Sequence, residues 1–323
     1  MEKTFKMCKH KYAPVLVTTY NRYHHFVNCI QSLQNNIEAQ NTSLFIAIDA
    51  PSKEKDIEPN EEIVRFSNKI KGFKSISIIH RKVNMGAFKN MFDARNQIFS
   101  ESPTLILSED DNVYSPFFLQ FINEGLKIYE NNPTIFSISG YNYPVFIQAN
   151  ETRDFYFAQA YSAWGVGLWR DKFNLVDFDS SHFWSDFSNP LKWLRLNKTL
   201  GDHVFIHLLI SKLRQTIFED TCICYHQFKN QMLSVFPSIS LVRNMGHDGS
   251  GVHCSAKSKN IFENQRIWEK ITPPSIYFTQ ITKESNEART ELNKYFKHPM
   301  YKKIACYFLY LFKSFTRNKL KYY

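Results

Sequence analysis

Along the first 140 residues, short apolar runs alternate with stretches whose apolar positions recur every three or four residues. The runs are PVLVTT (14–19), LFIAID (44–49), SISIIH (75–80), TLILS (104–108) and IFSISG (135–140), each strand-like. Between the first two, Phe26, Ile30, Leu33 and Ile37 mark one face of a helix over 22–36. Further helices are expected over 61–71, 87–99 and 116–129, the last with Pro116 in its first turn. Strands and helices alternating with short links predict a mostly parallel α/β sheet covered by helices on both faces. From about residue 151 the texture changes: Phe155, Tyr156, Phe157, Tyr161, Trp164, Trp169, Trp184 and Trp193 crowd in, and regular alternation stops until a helix expected over 202–213. No internal repeat is visible.

In such sheets ligands collect beyond the carboxyl ends of the strands. The residues placed there are Thr19-Tyr20-Asn21-Arg22, Asp49-Ala50-Pro51, His80-Arg81-Lys82 and Glu109-Asp110-Asp111. One edge thus collects an aspartate, basic groups and an acidic triplet. Three adjacent acids raise one another's pKa, and burying them costs several kcal/mol unless a positive charge compensates. Two readings stay open at this point. A hard divalent cation takes carboxylate oxygens together with substrate phosphates. A solvated turn before a helix N-terminus also favours acids.

Composition narrows the choice. The chain has 323 residues, 43% of them hydrophobic and 16% aromatic, enough for a sizeable core and against global disorder. The net charge of +10 suits an anionic partner. Nucleic acid is disfavoured, because the basic residues are dispersed outside the tail and no recognition motif occurs. The opening MEKTFKMCKHKYAP is charged and lacks an apolar core, so the six cysteines are expected as free thiols in a reducing compartment. Cys222, Cys224 and His226, with His253 and Cys254 downstream, imitate a zinc site without its usual spacing; alternation of Cys222 and Cys224 better suits one face of a buried strand. The longest apolar candidate for a membrane span, 304–312, is too short to cross a bilayer. The tail 301–323 carries six basic residues and no acid, interleaved with aromatics and aliphatics. It fits either an anionic membrane interface or a helix docked on the domain.

The order of these features resembles nucleotide-sugar-dependent glycosyltransferases of the GT-A, family-2 kind. PVLVTTYNR (14–22) is similar to that fold's opening strand and nucleotide loop, NMGAFKN (84–90) to the stretch after its third strand, and SEDDNVYSPFF (108–118) to its acidic metal motif. The Glu-Asp-Asp form looks most like the N-acetylglucosaminyltransferase I group. SAWGVGLWRDKF (162–173) and PSISLVRNMGHDGSGVH (237–253) resemble its acceptor-side and closing segments, so the likeness covers roughly 13–255.

The resemblance implies a Rossmann-like GT-A fold in three parts: a nucleotide-sugar-binding half (1–150), an acceptor-binding half of the same domain (151–275) and a basic amphipathic helical tail (276–323). It implies a hexosyl- or N-acetylhexosaminyltransferase using a UDP-linked sugar, with inversion, on a glycan or lipid-linked acceptor. The expected location is cytoplasmic, peripheral on the inner face of the plasma membrane. Asp111 is then expected to hold Mn²⁺ or Mg²⁺, with Glu109 and Asp110 toward ribose or sugar hydroxyls, and Thr19, Tyr20, Arg22 and Asp49 on the nucleotide. Lys89 is a candidate phosphate contact or a solvated helix charge. Asp202 is the candidate base, where the family often shows two acids together; its other reading is a helix N-cap. Asp171, Asp186 and Glu219 are alternatives. His253, and with less reason His247, sit in a glycine-rich loop that can approach a metal or diphosphate. Trp164 and Trp169 are candidates for stacking on sugar. Competing readings are a nucleotidyltransferase, disfavoured because TTYNRYHH lacks a glycine-rich phosphate loop, and a non-catalytic glycan-binding or membrane-associated relative.

Overall fold

The structure is a computed structural model that describes residues 12–145, 147, 154–179, 183, 190–214, 217–249, 265–277, 279, 281–305 and 308. Its strands are β1 (Val15–Thr19), β2 (Ser43–Ile48), β3 (Ser75–His80), β4 (Thr104–Glu109), β5 (Asn112–Tyr114), β6 (Ile135–Ser139), β7 (Phe155–Ala158), β8 (Val166–Trp169), β9 (Leu233–Pro237) and β10 (Val242–Asn244). Its helices are α1 (Tyr23–Gln34), α2 (Ile57–Ser67), α3 (Ala87–Glu101), α4 (Phe118–Ile128), α5 (Arg170–Phe173), α6 (Pro190–Leu200), α7 (Asp202–Arg214), α8 (Glu219–Asn230) and α9 (Asn286–Tyr295).

Eight strands form one sheet in the order β3-β2-β1-β4-β8-β6-β9-β7. The pairs β3-β2, β2-β1 and β1-β4 are parallel, as alternation with helices requires. Beyond β4 the sheet is mixed: β8 runs antiparallel to both β4 and β6, β6 and β9 are parallel, and β7 closes the edge antiparallel to β9. The sheet therefore continues through the change of texture near residue 151. This is the mostly parallel α/β sheet covered by helices on both faces that the strand pattern predicts, with an antiparallel strand inserted at its centre.

Alternate residues of each central strand feed two cores. Val15, Val17, Leu44, Ile46, Ile48 and Ile106 face one, with Phe26, Ile30 and Leu33 of α1, Ile63 of α2, and Phe118 and Ile122 of α4. Leu16, Ala47, Leu105 and Leu107 face the other, with Ala94 and Ile98 of α3, Leu196 of α6, Val204 and Leu208 of α7, and Ile223 of α8. Burial on both faces explains why these strands read as apolar runs rather than alternating ones.

Three elements depart from expectation. α2 begins at Ile57, four residues before the expected 61, because Pro59 sits in its first turn where its missing N–H costs nothing. The acids after β4 turn directly into β5, too short to leave a pattern. Cys222 and Cys224 lie on helix α8, not on a strand. There Thr221, Cys222, Ile223, Cys224 and Tyr225 are all buried, and a helix buried nearly all round shows no 3.6-residue period. Cys29, Cys222 and Cys224 are free thiols. Among the described residues, no group of three or more His, Cys, Asp and Glu side chains is gathered to hold a metal. His253 and Cys254, with Trp184 and Asp186, lie outside the described residues. No helix among the described residues is long and apolar enough to cross a membrane.

Candidate active site

Parallel pairing places the ends of β1 and β4 side by side, with Thr18 opposite Glu109. The residues that follow converge. The Thr19 hydroxyl donates to Asp110 Oδ2 at 2.8 Å. Arg22, just ahead of α1, reaches back with both guanidinium nitrogens, Nη2 to Asp110 Oδ1 and Nη1 to Asp111 Oδ2, the latter at 2.7 Å. Asp110 and Asp111 are 3% and 6% exposed, so this cation is what makes their burial tolerable. Burial opposes the charge on Arg22, but Asp110 and Asp111 outweigh it and raise its pKa further. Burial pushes the Asp110 carboxyl up against the pull of Arg22.

A second strand pair closes over this corner. β5 and β10 run antiparallel, with Asn112 opposite Asn244. Asn244 Nδ2 donates to Asp111 Oδ1 at 2.9 Å, and the Met245 amide to the Asp111 carbonyl at 2.8 Å. Gly246 then passes so close that a Cβ there would lie 2.0 Å from Asp111 Oδ2 and 3.0 Å from Arg22 Nη1. Gly246→Ala is therefore expected to push Asp111 off Arg22, costing about 1–3 kcal/mol of stability. Urea unfolding measures the loss, and the same variant should lose nucleotide-induced stabilisation.

Glu109 makes no side-chain hydrogen bond among the described residues. Burial pushes its carboxyl up to about 8, and the charges of Asp111, Asp220 and Asp110 add to that shift. Asp220 thus lies close to the acidic corner, although 110 residues separate it from Asp110 in sequence. It occupies the first turn of α8, beside Glu219. Glu219 is held by Arg95 of α3, a guanidinium only 1% exposed that also lies 4.2 Å from the Phe173 ring centroid. Solvent reaches the Asp220 side chain, yet protein encloses it enough that burial, then Glu219, pushes its carboxyl up to about 7. The Tyr161 phenol is raised by burial first and by Asp220 next.

The other anticipated residues are placed differently. Asp49 is 3% exposed, and its carboxylate is saturated by backbone amides. Oδ1 accepts from Ala50 at 3.0 Å and Met85 at 2.8 Å, and Oδ2 from Gly86 at 2.8 Å. It braces the loop into α3, where Gly86 takes φ +79°. Tyr20 donates to Asp56 at 2.8 Å and accepts from the Ser52 amide at 2.9 Å, so its hydroxyl ties loop to loop. Lys89 is exposed on the first turn of α3. Trp169 is a 3%-exposed core residue of β8 under the Lys172 ammonium, which rules out stacking on a sugar. Trp164 packs against Tyr141 and His247 next to the β10 loop. Asp171 is exposed on α5. Asp202 opens α7, where its Oδ2 accepts from the His298 amide at 3.3 Å and pairs with Lys303 at 3.0 Å. No hydrogen bond or ion pair joins it to the acidic corner among the described residues.

The residues that the expectation missed are Asp220, Arg95, Asn244 and Gly246. For Asp220 a signal existed: Glu219-Asp220 is an adjacent acid pair at the start of a helix, and Glu219 alone was weighed as an alternative to Asp202. Reading Cys222 and Cys224 as strand positions hid that helix.

Carboxylates at the corner are hard oxygen donors of the kind that Mg²⁺ and Mn²⁺ take. The position between Asp110 and Asp111 is spanned by Arg22, so a divalent ion bound there would share these carboxylates with the guanidinium.

No protein-family profile matches this sequence, and no curated protein matches it. Solved structures do align at low identity. The mannosyltransferase PcManGT from Pyrobaculum calidifontis, in complex with GDP-Man and Mn²⁺, is 10% identical over 50% of this chain and 45% of its own, with a TM-score of 0.37. TarS of S. aureus is 12% identical over 51% of this chain and 30% of its own, at 0.33. Its 1–349 fragment is 12% identical over 51% and 49%, at 0.34. The aligned part thus spans less than half of each of these structures.

Proposed function

We propose that the chain is a nucleotide-sugar-dependent glycosyltransferase with its reaction centre between Arg22, Asp110–Asp111 and Asp220. One observation carries this reading: two chemically different acid sets meet at one strand edge. Asp110 and Asp111 are charge-compensated by Arg22. Asp220 has no cation partner among the described residues and is reached by solvent.

Sugar transfer needs both. The departing diphosphate develops negative charge, which a fixed cation stabilises. Arg22 is the cation already in place, and Thr19 supplies a hydroxyl beside it. A divalent ion, held by Asp111 with Asp110 and Glu109, would act as a Lewis acid on diphosphate oxygens. The acceptor hydroxyl must lose a proton as its oxygen attacks the anomeric carbon. Asp220, with its pKa raised to about 7, is a carboxylate matched to that task near neutral pH. Attack from the Asp220 side, opposite the diphosphate, inverts the anomeric centre. Glu219 and Arg95 position Asp220 without touching substrate.

A UDP-linked hexose or N-acetylhexosamine is the proposed donor, and a glycan or lipid-linked saccharide the acceptor. Asp49 would contribute by holding the 84–86 loop at the base-binding edge rather than by its own carboxylate. The test is a panel of nucleotide sugars with Mn²⁺ or Mg²⁺. Release of nucleoside diphosphate, together with divalent-dependent thermal stabilisation by the same donor, is expected. Release of pyrophosphate from a nucleoside triphosphate and sugar phosphate would instead identify a nucleotidyltransferase. Sugar binding without turnover would identify a binding protein.

A further inference from the structure

Asp202, displaced from the reaction centre, has a different job. Its contacts with the His298 amide and the Lys303 ammonium clasp the start of a short helix over 300–305. Two neighbours fix the same corner. His203 stacks on Phe296 with ring centroids 3.8 Å apart, and Asn293 Nδ2 donates to the Lys198 carbonyl at 2.8 Å. The 293–303 segment is thereby anchored where α6 meets α7.

With Lys303 turned inward to Asp202, the opposite side of this helix faces out. Met300, Tyr301, Ile304 and Phe308 are 64%, 67%, 49% and 64% exposed. At about 100° per residue, their spacing places them on one third of a helix circumference. Lys302 and Lys303 fall outside that third. Beside the anchored corner, α6 presents Leu194, 55% exposed, with Arg195 and Lys198 also exposed. The stretch 190–200 contains three Lys or Arg and no acid, and 296–323 contains seven and no acid.

We propose that the outward side chains of Met300, Tyr301, Ile304 and Phe308, with exposed Leu194, Arg195 and Lys198 of the nearby α6, dock on an anionic lipid bilayer. An apolar wedge within basic, acid-free stretches of sequence is the signature of an interfacial element: the wedge enters the headgroup boundary while lysines and arginines stay over anionic headgroups. An apolar protein partner would not require the exclusion of acids from both segments. Asp202 is the positioning residue, because its pairing with Lys303 sets which side of the helix faces the lipid. The proposal extends the functional reading toward a lipid-linked acceptor but uses none of its transfer chemistry.

The test is co-sedimentation of the full chain with phosphatidylglycerol–phosphatidylcholine vesicles, against pure phosphatidylcholine. Binding to the anionic vesicles only, weakened by salt, is expected. The pair Ile304→Glu and Phe308→Glu should lower partitioning by about tenfold or more. Leu194→Glu with Arg195→Glu should lower it by a smaller factor. Ile37→Glu, at a 75%-exposed site on the turn Ile37–Asn41, should leave it unchanged. Equal binding by wild type and the 304/308 pair overturns the proposal. So does sedimentation equilibrium showing that this pair splits an oligomer while lipid binding stays constant, which makes the face a contact between copies. Nucleoside diphosphate release, measured in solution on the same variants, should stay at the wild-type level. Its absence in wild type would count against the transferase reading and leave the vesicle result standing.

Discussion

Replacing Asp220 by asparagine is expected to lower the transfer rate by about 10²–10⁴-fold while the protein stays folded, because a positioned general base contributes that much. Asparagine keeps the shape and cannot accept the acceptor's proton. The wild-type rate should rise with pH through about 7, where the Asp220 carboxyl loses its proton, and the variant should lack that limb. Stability should move the other way. A carboxyl whose pKa is raised on folding holds its proton longer in the native state than in the unfolded chain. Its favourable contribution is complete below the ordinary aspartate range near 4 and is lost as pH rises toward about 7. At pH 8 the wild type therefore carries an enclosed charge that the asparagine variant lacks, and the variant should melt no lower. Thermal melts at pH 5 and pH 8, beside the rate measurements, check both signs. A variant that keeps wild-type turnover would remove Asp220 from the chemistry.

The second large effect is expected from Asp111→Asn. The change removes one of the two charges on Arg22 and an anionic oxygen available to a divalent ion. Loss of one electrostatic contact to a developing charge typically costs about 10²–10³-fold in rate. Here the loss should show already in binding, as failure of Mn²⁺ plus nucleoside diphosphate to raise the melting temperature. The Asn244 hydrogen bond to Oδ1 can persist with an amide oxygen, so the fold should survive. Stabilisation by nucleotide and Mn²⁺ equal to wild type would show that the cation is held elsewhere.

Much of the architecture was legible because it is local. Apolar runs of strand length, the first four each followed by a helical period, marked five of the sheet's strands and four helices that pack on it. They also marked the edge where their carboxyl ends lie. Glu109-Asp110-Asp111 stood out there because three acids after an apolar run require a compensating charge. Its identity was less visible: Arg22 was marked as a nucleotide contact, and in the structure it is the counter-ion of Asp110 and Asp111. The second half was read less well. β8 enters the sheet antiparallel, and α8 is buried around most of its circumference, so neither shows the period that betrays an exposed helix or a βαβ unit.

By itself, the sequence determined the α/β layering, the acidic strand end and a basic, acid-free tail, since each depends on side chains within a few positions of one another. Tertiary structure alone decided which distant groups meet. Gly246 lies against Asp111, Arg95 fastens Glu219 beside Asp220, and backbone amides from the α3 loop consume Asp49. It also decided between two aspartates that each open a helix. Asp202 meets Lys303 and Asp220 meets the acidic corner, because the sheet order sets α7 and α8 against different neighbours, and no local pattern encodes that.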